Sequence, residues 1–181
     1  MDALISEDDR RAILAAARRA IAEATAGREP IAPPAEGVFA RRAGAFVSLH
    51  RHGDLRGCIG RIDDAAPLAQ VISHCAAAAA VDDPRFPPVT PAELGQIDIE
   101  VSVMTPPARV SDVSEIEVGR DGLIVEHHGR KGLLLPQVAT EQRWDRETFL
   151  SRTCTKAGLP SDAWRRGAAI YRFQAEVFGE L

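Results

Sequence analysis

Residues 44–62 read GAFVSLHRHGDLRGCIGRI, and this stretch decides the fold class. Phe46-Val47-Ser48-Leu49-His50 alternates apolar and polar side chains with a period of two, the pattern of a half-buried strand. His52-Gly53-Asp54 carries turn chemistry, and Leu55 to Ile62 returns as a second strand. Residues two apart on a strand share a face, so Arg56 and Cys58 are expected to point together, with Leu55 and Ile59 turned to the core. A guanidinium beside a thiol favours the thiolate, the nucleophilic and metal-binding form. Gly57 and Gly60 remove side chains on either side of Cys58, so another backbone or a ligand could approach closely. The same residues equally describe a small buried cysteine in a glycine-bulged strand, a purely structural arrangement.

Helices flank this hairpin. Upstream, Ser6 can cap a helix whose first turn, Glu7-Asp8-Asp9, complements the helix dipole. Leu14, Ala17, Ile21 and Ala24 recur at helical spacing, Gly27 stops the run, and residues 28–37 form a proline-rich connector. Downstream of Pro67, Leu68, Val71, Ile72, Cys75, Ala76 and Ala79 make an apolar helical stripe that ends near Asp83, since Pro84 excludes the α region there. Pro84-Arg85-Phe86-Pro87-Pro88 is a stiff loop that holds Arg85 and Phe86 in fixed directions. Thr90-Pro91-Ala92-Glu93 is a capping box for a short helix, and residues 97–103 alternate as a strand whose polar face is Asp98, Glu100 and Ser102.

Residues 108–120 read as a connection. Leu123 to Glu126 and Gly132 to Leu135 form a second hairpin around His128-Gly129, Asp145 caps a helix running to Gly158, and Ile170 to Phe178 reads as one last strand. In that strand Tyr171, Phe173, Ala175 and Val177 are expected on one face. Interspersed helices and hairpins predict an α+β fold with mainly antiparallel sheet and no linker long enough to separate independent domains.

Composition narrows the function classes. With 22 Lys+Arg against 26 Asp+Glu in 181 residues, the net charge is −4, which argues against a nucleic-acid clamp or a membrane-surface protein. Only Lys131 and Lys156 could form a Schiff base. Cys58, Cys75 and Cys154 are an odd set with no CxxC pair, so neither a disulfide scaffold nor a zinc finger is expected, and the default setting is reducing and cytoplasmic. The nucleotide-loop, HExxH and G-x-S-x-G signatures are absent. His50 and His52 could share a face, yet no further ligand set is spaced to join them, so no metal and no cofactor are expected. Cys75 and Cys154 fall on apolar stripes and read as core.

Leu55-Arg56-Gly57-Cys58-Ile59-Gly60 resembles the signature hexapeptide of the AMMECR-one domain family, known in prokaryotes as AmmeMemoRadiSam system protein A. The resemblance continues through Asp83-Pro84-Arg85-Phe86-Pro87-Pro88, Asp98-Ile99-Glu100-Val101-Ser102-Val103, and Gly132-Leu133-Leu134-Leu135-Pro136-Gln137-Val138. It closes with Ala157-Gly158-Leu159-Pro160, Trp164 and Tyr171-Arg172-Phe173, so it covers almost the whole chain, 1–181, as one domain. It implies a larger lobe built from both chain ends, a smaller one from the interior, and the hexapeptide near a cleft between them. It also implies two partners, a Memo-like protein and a radical S-adenosylmethionine protein. On this basis Cys58 is a candidate thiolate, Arg56 its stabiliser and Glu100 a candidate acid/base. Gly57, Gly60, Asp83, Arg85, Phe86 and Gln137 are the candidate ligand-binding companions. The rival reading is a non-catalytic adaptor in which Cys58 only packs and the Phe86 loop docks a partner.

Overall fold

In the computed structural model, which describes residues 5–180, helices and strands follow one another as the periodicities predict, with three differences. In chain order the elements are α1 (Glu7–Thr25), β1 (Ala45–Arg51), β2 (Asp54–Arg61), α2 (Leu68–Val81), β3 (Ile97–Met104) and β4 (Ala108–Arg109). They continue with β5 (Gly122–His127), β6 (Arg130–Leu134), α3 (Pro136–Glu141), α4 (Arg146–Lys156), β7 (Ala169–Phe173) and β8 (Ala175–Gly179). Short 3-10 turns fill the connections at Gly37–Ala40, Pro91–Gln96, Val113–Glu115 and Ala163–Arg165. The fold class is α+β.

Residues 105–175 form one compact unit and the rest of the described chain the other. In the latter, four strands lie in the order β2-β1-β3-β8, with β1 antiparallel to both β2 and β3. The inward row Ala45, Val47, Leu49, Ile97, Ile99, Val101 and Val103 packs with Ile13, Ala17 and Ile21 of α1 and Val71, Ile72, Cys75 and Ala79 of α2 in one core. Ser6 Oγ accepts the Asp9 N–H at 3.1 Å to start α1. Past its end Gly27 takes a φ of 75°, the left-handed conformation that stops a helix. Arg18 ties α1 to the strand ends, donating to the Leu94 carbonyl at 3.0 Å and to Glu180 at 2.8 Å.

In the 105–175 unit the strand order is β4-β7-β5-β6, and α4 lays Phe149, Leu150 and Cys154 into a core with Leu123, Val125 and Ile170. Asp145 caps α4 through Thr148 N–H at 2.8 Å, with the Trp144 and Phe149 rings 6.5 Å apart as the staple at its start. Asp121 is fully buried. Burial raises its pKa, but Arg120, the Glu117 N–H and Arg172 outweigh that and hold it below the usual carboxylate range.

The differences have physical causes. Ile170 to Phe178 is not one strand: Gln174 pairs with Thr105 through both its N–H and its carbonyl, and the chain passes from one sheet (β7) to the other (β8) at that point. Phe173 and Phe178 are consequently the buried aromatics, while Val177 is 45% exposed. Within 108–120 lies the two-residue strand β4, which pairs with β7. α3 starts at Pro136, whose fixed φ suits a first helical position.

Candidate functional site around Cys58

The hexapeptide lies on β2, the edge strand of its sheet. Its hairpin turns through His52 (φ 53°) and Gly53 (φ 85°), both left-handed, which is the geometry of a tight two-residue type I′ connection. His52 is therefore in the turn and exposed, and it does not share a strand face with His50. At the second hairpin His128 (φ 49°) and Gly129 (φ 75°) repeat this turn, and the His127 and His128 rings lie 3.7 Å apart instead of splaying.

From the first turn the pairing starts at Arg51↔Asp54 and His50↔Leu55, then shifts so that Leu49 faces Gly57 and Ser48 faces Cys58. Arg56 is the extra residue of a β-bulge. One inserted residue changes which face each side chain takes. Leu55 lies opposite His50, away from the core, and is 40% exposed, contrary to the inward placement the alternation predicts. Ile59 does pack on the core.

The bulge also separates Arg56 from Cys58. The Arg56 guanidinium meets Glu93 (Nε to Oε1 3.2 Å) and donates to the Pro87 carbonyl at 2.8 Å. Arg51 joins the same carboxylate at 2.9 Å. Arg56 makes no hydrogen bond or ion pair with Cys58, so it is an anchor for the 87–93 segment and not the partner of the thiol. Glu93 is held below its ordinary pKa first by the Thr90 N–H and then by Arg56.

Arg85 is the cation at Cys58. The loop at Asp83–Pro88 docks on the free edge of β2, where the Cys58 N–H donates to Asp83 Oδ2 at 2.9 Å and Arg85 Nη2 donates to the Cys58 carbonyl at 3.3 Å. Those two main-chain groups, which a further strand would otherwise pair, are satisfied by side chains. Arg85 also grips Asp83 through Nε (3.0 Å) and Nη2 (2.8 Å). Asp83 is buried, and the Arg85 hydrogen bonds hold its carboxyl far below the usual range against the opposing effect of burial. Phe86, half-buried, has the Arg85 guanidinium 5.4 Å from its ring centre.

Directly opposed residues of antiparallel strands share a face. Cys58 on β2, Ser48 on β1 and Glu100 on β3 thus form one row, and the Ser48 hydroxyl donates to Cys58 Sγ at 3.2 Å. Glu100 is half-buried, two strands from the thiol with Ser48 between. Ser48 is the site residue that sequence reasoning missed. A simple two-residue hairpin would pair it with Gly57, and only the bulge brings it opposite Cys58.

The two glycines have local tasks. A Cβ on Gly57 would lie 2.1 Å from the Ala79 carbonyl of α2, and one on Gly60 would lie 2.2 Å from the Phe46 ring. Backbone and ring, not ligand, occupy the space their side chains would need. Gln137 is exposed on α3 in the 105–175 unit. Cys75 and Cys154 are fully buried, and burial pushes the Cys75 thiol up to about 11. A surface groove of about 400 Å³ between α2, the end of α1 and the proline connector holds none of these candidates. Its polar lining includes Ser73, His74 and Asp82. Among the described residues, no group of three or more His, Cys, Asp or Glu is placed to hold a metal ion. No helix among them is long and apolar enough to cross a membrane.

A protein of Methanothermobacter thermautotrophicus is 48% identical to the chain over 185 residues, spanning 97% of this chain and 96% of the relative. A Thermococcus onnurineus protein is 49% identical over 178 residues, spanning 91% and 86%. A crystal structure of the uncharacterized protein PH0010 from Pyrococcus horikoshii superposes with a TM-score of 0.86 at 42% identity, covering 97% of this chain and 93% of that one. The AMMECR1 family model matches residues 14–178, and the chain belongs to the AMMECR1 family.

Proposed function

We propose that this protein is the thiol-presenting component of a Memo and radical S-adenosylmethionine associated modification system, offering Cys58 to a small molecule, peptide or partner protein. One observation carries the reading: Cys58 is the only one of the three cysteines that is not buried, and its surroundings hold it in place. Asp83 and Arg85 fix its main chain, and Ser48 fixes its sulfur. The neighbouring cation in this arrangement is Arg85, and Glu100 stands behind Ser48 as the acid/base group of the row. The partners are those that the family resemblance implies, and the protein works in the cytoplasm with them.

The adaptor reading has its own support. Asp83 and Arg85 bond the backbone of Cys58, which also serves to present the Phe86 loop as a docking element. Calorimetric binding to a purified Memo-like protein separates the two. The proposal expects Cys58→Ser to weaken binding about tenfold, the loss of a contact worth about 1.4 kcal/mol, and the partner to shield Cys58 from iodoacetamide. Loss of binding with Phe86→Ala alone, with Cys58→Ser silent, would establish the adaptor instead.

A further inference from the structure

We infer that the Cys58 site is built for an anionic ligand, a small carboxylate or phosphate, with Arg85 as its anchor. The inference rests on the reading that Cys58 faces the ligand and adds the ligand's chemical class. Three observations carry it. First, the Arg85 guanidinium is fixed without being used up: Nε and Nη2 are held by both oxygens of Asp83 and by the Cys58 carbonyl, while Nη1 makes no hydrogen bond to any described residue. A planar guanidinium held at Nε and Nη2 presents its remaining donors, the Nη1 N–H groups, ready-oriented on the other edge, and such charge-assisted donors suit an oxyanion.

Second, the presented edge is open and its counter-ion is not. The Arg85 side chain is 56% exposed, whereas that of Asp83 is 3% exposed beneath it. Third, the support is stiff: Pro84, Pro87 and Pro88 restrict the loop, and the Phe86 ring lies against the guanidinium. Little side-chain freedom remains to be lost on binding.

Iodoacetate and iodoacetamide test this directly, because they share the reaction and differ in charge. In both, the Cys58 sulfur forms a bond to the methylene carbon as iodide leaves. The measurement is the ratio of the two alkylation rates at Cys58, read by peptide mass spectrometry, against the same ratio for an unstructured cysteine peptide. The expected ratio is at least about fivefold above the peptide's at low salt, falling towards it as salt is added. Arg85→Gln should bring the ratio down to the peptide's whatever it does to the thiol itself, since the charge-assisted contact is lost for iodoacetate alone. A ratio equal to the peptide's, or an Arg85→Gln variant that slows both reagents alike, would overturn the inference while leaving Cys58 a reactive thiol. If neither reagent modifies native Cys58, the underlying reading of the thiol fails and the inference falls with it.

Discussion

Gly57 shows how closely chemistry and packing are interwoven in the hexapeptide. It stands next to Cys58, yet the atom nearest its missing side chain is the Ala79 carbonyl of α2, at 2.1 Å from where a Cβ would be. A backbone carbonyl in a packed helix yields little, so the strand or the helix must move. We expect Gly57→Ala to destabilise the protein by about 1–3 kcal/mol, the usual cost of overpacking, measured as a drop in the urea midpoint at unchanged slope. An unchanged midpoint would show that β2 and α2 are less tightly apposed than described. At Gly60 the obstacle is instead the Phe46 ring, 2.2 Å from where a Cβ would be.

Among the elements, the edge strand β2 and the loop that docks on it are governed by one carboxylate. Asp83 accepts the Cys58 N–H and both grips of Arg85, so its charged form is favoured by folding. A carboxyl whose folded pKa lies below its unfolded value adds stability that is fully present above the unfolded value, about 3.9, and is lost as the pH falls through the folded one. At pH 7 Asp83→Asn should therefore cost about 1–2 kcal/mol, the figure for a charged hydrogen bond discounted for the exposure of Arg85. The gap from the wild type should begin to narrow below about pH 4 and go on narrowing as the pH falls toward the folded value. Denaturation midpoints across that window decide it, and a gap independent of pH would assign the loss to packing.

The same element shows what sequence patterning could and could not reach. Both hairpins, the caps at Ser6 and Asp145 and the capping box at Thr90 were legible, because each rests on contacts within a few residues. The bulge at Arg56 was not. Its single extra residue leaves Leu55 opposite the outward His50 while turning Ile59 inward, takes Arg56 to Glu93 and brings Ser48 to the thiol, and no local periodicity announces it. The division of 170–178 into β7 and β8 was hidden for a similar reason: alternation persists across Gln174, while the sheet to which each half belongs is a long-range matter.

For the whole molecule, the chain carries two cores, each with its own sheet, and each buries one cysteine: Cys75 in the first and Cys154 in the second. Cys58 alone of the three stands outside a core, which divides the odd cysteine count into two buried thiols and one that is not. Alkylation of the native protein with iodoacetamide, mapped by peptide mass spectrometry before and after addition of denaturant, tests that division most directly. The account predicts that Cys58 alone is modified in the native protein and that Cys75 and Cys154 react only once the chain is unfolded. Labelling of Cys58 that waits for unfolding, at the same rate as the other two, would contradict it.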